Sequence, residues 1–190
     1  IGWGAYGPAH QGFETVIGAS EAGGPPTYFY PYYRSSYEGT GWPADIPGFT
    51  GHGETGEYLT DRLTTEALHY LDTVQGPFYL QFNHFAVHRP LEAKAEKVKK
   101  YTDKASRLPA QTVQEQYLTE RNSLVKTRQD HPVFASMLES VDESFGALID
   151  KLAAQGKLVN TLIIFTSDNG GLSATLNSRR DIELPTSELP

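Results

Sequence analysis

The sequence has no cysteine. That excludes a disulfide framework, a thiolate nucleophile and a structural Cys-zinc site, and it leaves the compartment open. No apolar run approaches the length of a transmembrane helix. No internal repeat is present, and the chain opens on Ile1-Gly2-Trp3-Gly4 without an initiator Met or a signal-peptide pattern. The expectation is therefore either a removed leader or an internal piece of something longer. An excess of positive charge is missing too. The net charge of −7 argues against non-specific nucleic-acid binding, although an anionic substrate needs only a local positive site.

What is there suits one domain. The 190 residues are 38% hydrophobic and 21% charged, enough to bury a core. The most ordered stretch runs Thr161-Leu162-Ile163-Ile164-Phe165-Thr166-Ser167-Asp168-Asn169-Gly170-Gly171. Its first half is apolar with little alternation, which predicts a strand covered on both faces of a parallel sheet. In open α/β sheets ligands bind beyond the carboxyl ends of strands, where Asp168 and Asn169 would lie. The same residues also spell an ordinary Asx turn.

A helix is predicted over Leu59 to Val74, with Leu59, Leu63, Ala67, Tyr70, Leu71 and Val74 on one face and Gln75-Gly76-Pro77 as its stop. Phe78 to Phe85 reads as a second strand that leads to His88 in a turn before Arg89-Pro90. Residues 91 to 104 predict a basic helix, more in keeping with a solvated face than a binding surface. A polar connection with one short helix around 111 to 121 follows. His131 to Gln155 is the strongest helix, with Phe134, Met137, Leu138, Val141, Phe145, Leu148, Ile149 and Leu152 on one stripe and Gly156 as its stop. Residues 1 to 56 are rich in Gly, Pro and Tyr, with a short strand between Gly12 and Gly18 and otherwise irregular loops. After Gly171 the chain reads as an interrupted loop through Asn177, Arg179, Arg180 and Pro185. Helix and strand alternate, which calls for an α/β fold with right-handed crossovers.

If both strands lie parallel in one sheet, His88 and the Asp168-Asn169 pair project from the same edge. A carboxylate and an amide oxygen suit Ca²⁺ or Mg²⁺ rather than zinc, but two ligands fall short of the about six to eight oxygens that Ca²⁺ takes. His88 can give or take a proton near neutral pH, as a general acid on a leaving group would. Taken alone, a His before Arg-Pro is more often a structural residue than a catalytic one.

The stretch Thr161 to Gly171, preceded by Glu139-Ser140-Val141-Asp142-Glu143-Ser144-Phe145-Gly146, resembles the signature of the sulfatases of the alkaline-phosphatase-like superfamily. Gly12-Phe13-Glu14, Tyr58-Leu59-Thr60-Asp61 and Pro77-Phe78-Tyr79-Leu80 through His88-Arg89-Pro90 resemble further segments of that family in the same order. The resemblance implies a three-layer sandwich with a mostly parallel central sheet between helices, only partly represented in residues 1–190. It implies Asp168 and Asn169 as ligands of a catalytic Ca²⁺, His88 as the histidine that protonates the leaving oxygen, and hydrolysis of a sulfate ester by a formylglycine. The implied substrate is a sulfated carbohydrate or other sulfate ester, and the implied location is periplasmic or extracellular.

Departures from the family pattern matter as much. The Cys/Ser-x-Pro-x-Arg motif that carries formylglycine, the paired early Asp ligands, the Gly-Lys-Trp-His segment and a later Lys are not among these residues. The expectation is an internal segment of a sulfatase catalytic domain, inactive alone, whose partners include the remainder of the parent chain. Two alternatives stand. One is a phosphodiesterase or phosphonate hydrolase of the same superfamily, against which Asn169 speaks because relatives with two transition metals tend to place His beside the late Asp. The other is a non-catalytic, glycan-binding sulfatase-like protein.

Overall fold

The computed structural model describes residues 4–19, 23–40, 44–120, 123–171 and 174–176. The readings of Asn177, Arg179, Arg180 and Pro185 fall outside the described residues. The chain divides into two compact units, Ile1–Glu92 with Met137–Thr161, and Ala93–Ser136 with Leu162–Pro190.

In the first unit, helix α1 spans Leu59–Thr73, one residue short of the predicted end. It buries Leu59, Thr60, Leu63, Thr64, Ala67 and Leu71, so two threonines join the expected apolar face and Tyr70 stays half-exposed. Helix α4, Pro132–Ala154, continues through this unit. Its buried positions here include Met137, Ser140, Ser144 and Leu152, whereas Leu138 is exposed and Val141, Phe145, Leu148 and Ile149 are only half-buried. The stripe expected to be the core is thus displaced toward small polar residues.

Those serines have a reason to be there. Ser144 Oγ lies 2.5 Å from Thr64 Oγ1, which itself donates to the Thr60 carbonyl at 2.7 Å. Further along, Lys151 pairs with Asp72 at 2.5 Å and Gln155 Nε2 donates to the Leu71 carbonyl at 3.0 Å. The contacts advance in the same direction along both helices, so α1 and α4 run parallel. Helices on one face of a parallel α/β sheet are arranged in this way.

The loops before α1 are more built than their composition suggests. They carry 3₁₀ turns at Gly4–Tyr6, Pro8–His10 and Ser35–Tyr37. Gly12 to Gly18 is not a strand. Tyr28, Tyr32, Ile46, Phe49 and Tyr58 are buried and form an aromatic core with the start of α1. Tyr28 and Tyr58 stack at 5.8 Å, and Phe29 bridges to Tyr58.

The two strands read from the sequence are the main correction. Phe78 to Phe85 and Thr161 to Thr166 are neither helical nor part of a ladder among the described residues. The first still alternates: Phe78, Leu80, Phe82 and His84 are half-buried, while Tyr79, Gln81 and Asn83 are exposed. The second is open on both faces, with Leu162 86%, Ile164 78% and Phe165 67% exposed. A strand is stabilised by its hydrogen-bonded neighbours and by cover on its faces, and propensity does not substitute for them. A parallel central sheet is therefore not seen among the described residues.

In the second unit, α2 (Ala95–Ala105) is the expected basic helix, shorter at its start. Helix α3 (Val113–Gln116) opens on a capping box between Thr112 and Glu115. Strands β1 (Tyr117–Glu120) and β2 (Ser123–Lys126) then form a hairpin where a helix was expected. Strand β3 (Ala174–Leu176) pairs antiparallel with β2, Leu124 opposite Thr175, giving the order β1-β2-β3. The interrupted loop expected after Gly171 thus contains a strand. His131 supplies the cap that starts α4: its Nδ1 accepts from the Phe134 N–H at 3.2 Å.

Candidate active site

His88 stands in the turn that follows Phe78 to Phe85, as the Arg89-Pro90 pair predicts. Its backbone N–H donates to the Phe85 carbonyl at 2.9 Å. Its own carbonyl accepts from the Tyr28 hydroxyl at 2.9 Å. Burial holds the Tyr28 phenol well above its ordinary range, with Tyr58 and Glu92 adding to the effect, so this hydroxyl is a donor at every working pH. The imidazole is exposed, and Nδ1 lies 3.0 Å from the Arg89 carbonyl. A carbonyl only accepts, so Nδ1 carries the proton and Nε2 is the ring atom left to exchange one.

Sequence reasoning missed what holds this turn. The Glu92 carboxylate accepts from Thr27 Oγ1 at 2.6 Å, from the Tyr28 N–H at 2.7 Å and from Arg34 Nη2 at 2.9 Å. Tyr58 Oη donates to the Glu92 carbonyl at 2.9 Å. One residue thus ties the aromatic loop to the segment that follows His88. No motif marks Glu92, because its partners are some sixty residues away in sequence. Tyr28 is fully buried. Tyr30 is half-exposed, and His10 and Arg89 are exposed.

His84 is a second histidine of interest on the same segment. Its ring lies 4.3 Å from Phe82, and its Nδ1 is buried without a hydrogen-bond partner. Burial pushes its pKa down to about 4. It is neutral at neutral pH.

Asp168 and Asn169 belong to the second unit, three and four positions after Phe165. They form a local turn: the Asn169 N–H donates to Asp168 Oδ1 at 2.8 Å, Asn169 Nδ2 to the Gly170 carbonyl at 2.8 Å, and Ser167 Oγ to the Asn169 carbonyl at 2.6 Å. Both residues are exposed. Their side-chain oxygens are hard donors of the kind Ca²⁺ takes. No group of three or more His, Asp or Glu side chains able to hold a metal gathers among the described residues, so the donors fit in kind and fall short in number. His88 and the Asp168-Asn169 turn are each described within their own unit.

A cleft of about 760 Å³ opens between the Gln11 to Thr15 loop, the Leu63, Ala67 and Tyr70 side of α1 and the Pro77 to Phe82 segment. None of the predicted site residues lines it.

A sequence model of the Sulfatase family matches residues 2–183, and the chain belongs to that family. The uncharacterized sulfatase YdeN of Escherichia coli (strain K12) is 30% identical over 118 residues, which cover 60% of this chain and 17% of YdeN. The crystal structure of Ps i-CgsB matches with a TM-score of 0.50 at 20% identity, over 82% of this chain and 32% of that one. The same protein in complex with k-i-k-neocarrahexaose matches with a TM-score of 0.49 at 20% identity and the same coverage. The chain thus has the α/β fold of the alkaline-phosphatase-like sulfatases and spans less than a third of the relatives' length.

Proposed function

We propose that these 190 residues are an internal segment of a sulfatase catalytic domain that hydrolyses sulfate esters of carbohydrates. The observation that carries the reading is His88. It is exposed in the turn after Phe78 to Phe85, within the stretch that resembles the family's His-x-Pro segment, with Nδ1 tied to a carbonyl and Nε2 left to act. In this reading the ring carries a second proton on Nε2 and, as the S–O bond breaks, gives that proton to the ester oxygen, so the sugar leaves as an alcohol rather than an alkoxide and His88 is left as the Nδ1–H imidazole. Asp168 and Asn169 would hold a Ca²⁺ through their side-chain oxygens, with further ligands from the longer chain. That ion, when bound, would supply Lewis-acid stabilisation of the sulfate oxygens. The formylglycine nucleophile lies elsewhere in that chain, and a sandwich with a parallel central sheet is completed there. A periplasmic or extracellular location follows from the same resemblance. Among the described residues no helix is long and apolar enough to cross a membrane.

The test uses the longer protein that contains this segment. His88→Ala is expected to lower kcat on an aryl sulfate by about 10²–10⁴-fold, the usual worth of a positioned general acid. Wild-type turnover in that variant would remove His88 from the mechanism. Preference for a bis-aryl phosphate over the aryl sulfate would favour a phosphodiesterase. Binding of sulfated glycan with no turnover on either compound would favour a non-catalytic sulfatase-like protein. The 190 residues alone are expected to hydrolyse nothing.

A further inference from the structure

The geometry points to Gly24 as the residue that positions the His88 imidazole, an inference that rests on His88 being the general acid. A β-carbon placed on Gly24 would fall 2.5 Å from His88 Nδ1, 3.0 Å from its Cε1 and 3.1 Å from the Arg89 carbonyl oxygen. That space is occupied by the hydrogen bond between Nδ1 and the Arg89 carbonyl. Gly24 is not needed for its backbone, because its φ lies outside the left-handed region that favours glycine. It is needed for what it leaves empty.

The loop that carries Gly24 has little room to yield. Pro25 and Pro26 follow it and are buried, and two consecutive prolines restrict the chain further. Tyr28, fully buried, is tied through its N–H to Glu92 and through its hydroxyl to the His88 carbonyl. The imidazole is the exposed and rotatable partner. A methyl group at position 24 therefore turns the ring, breaks the Nδ1–H to Arg89 bond and frees the tautomer that this bond selects. Gly24 acts on the reaction only through His88, so it is a positioning residue.

The experiment compares four forms of the longer enzyme: wild type, Gly24→Ala, Gly23→Ala and His88→Ala, with the Gly24→Ala/His88→Ala double variant completing a cycle. Gly23 is the matched control, since a β-carbon there meets nothing within 4 Å. Gly24→Ala is expected to lower kcat by about ten-fold or more, the scale on which outer-shell orienting partners act, with KM moving less. Gly23→Ala is expected to stay within about two-fold, and Gly24→Ala to cost nothing further once His88 is Ala. Long-range ¹⁵N–¹H spectra of the His88 ring, assigned by its loss in His88→Ala, should show Nδ1–H in the wild type and a mixed or reversed tautomer in Gly24→Ala. An Nε2–H tautomer in the wild-type enzyme overturns the inference without any variant, so a Gly24→Ala protein that fails to fold does not shield it. A Gly24→Ala enzyme with unchanged kcat and tautomer overturns it as well. Full turnover in His88→Ala would instead sink the general-acid reading, and Gly24's catalytic role with it, while the spectra would still decide whether Gly24 places the ring.

Discussion

The loop from Gly24 to Arg34 and the stretch from Thr161 to Thr166 invert what their compositions promise. The loop is Gly, Pro and Tyr without periodicity, yet it contains fully buried side chains and a network centred on Glu92. The stretch from Thr161 is as strand-like as any in the chain, yet Leu162, Ile164 and Phe165 face solvent. Order follows partners. The loop finds its partners within the first unit, in Tyr58, Glu92 and the start of α1, whereas among the described residues the strand-like stretch joins no ladder.

The sharpest way to break this comparison is to empty the loop's core. Tyr28→Ala removes a fully buried ring stacked on Tyr58, together with the hydroxyl that satisfies the His88 carbonyl. The expected loss is about 3–5 kcal/mol, the usual range for truncating a buried aromatic. Urea melts read it. A loss under about 1 kcal/mol would mean that the loop is only loosely packed in solution, as ordinary surface positions are.

Next in size is a pH effect from the intermediate case, the half-covered segment Phe78 to Phe85. His84 has a folded pKa of about 4 against an ordinary 6.5, the result of burial. Because the folded value is depressed, the unfolded chain binds the extra proton first as pH falls. Stability is therefore full above about pH 6.5 and falls as pH drops toward 4, by roughly 3 kcal/mol at most. Melts from pH 7 to 4 on wild type and His84→Phe would show this slope only in the former. Equal slopes would mean that water reaches the ring.

How much could be read in advance follows the same logic. The bounds of α1 and α4 were legible because helices satisfy their own hydrogen bonds, so periodicity and the stops at Gly76 and Gly156 suffice. The buried face of α4 was not, since Ser144 is chosen by the Thr64 that α1 places opposite it, eighty residues away in sequence. The hairpin β1–β2 was missed because each strand is only four residues long and its register depends on pairing. In the candidate site, the turn that holds His88 was legible from Arg89-Pro90, and the turn at Asp168-Asn169 from its residue types. Glu92 and Gly24 were not, for they matter through contacts that no local pattern announces.

A smaller effect tests the network rather than the packing. Glu92→Ala leaves the Tyr28 N–H without its acceptor and removes the partner of Arg34. The expected cost is about 1–3 kcal/mol, mostly the penalty of the orphaned donor, because the ion pair itself is partly exposed and worth little. Glu92→Gln keeps an acceptor oxygen and should cost less. Equal losses in the two variants would assign the effect to charge instead of to the backbone bond.

The smallest effect closes on the strand-like stretch. Ile164 is 78% exposed, so Ile164→Ser removes little buried area in the 190-residue chain, and a change within about 0.5 kcal/mol is expected by urea melt. The same substitution in the longer sulfatase separates two accounts of that exposure. If further chain covers the stretch, as the proposed central sheet requires, Ile164 becomes a core residue there. Ile164→Ser then loses both its transfer free energy and a cavity's worth of contacts, about 2–5 kcal/mol. A near-zero effect in both contexts would leave Thr161 to Thr166 an exposed segment in the whole protein, and Asp168 and Asn169 would lose the sheet edge that is proposed to carry them toward a cation.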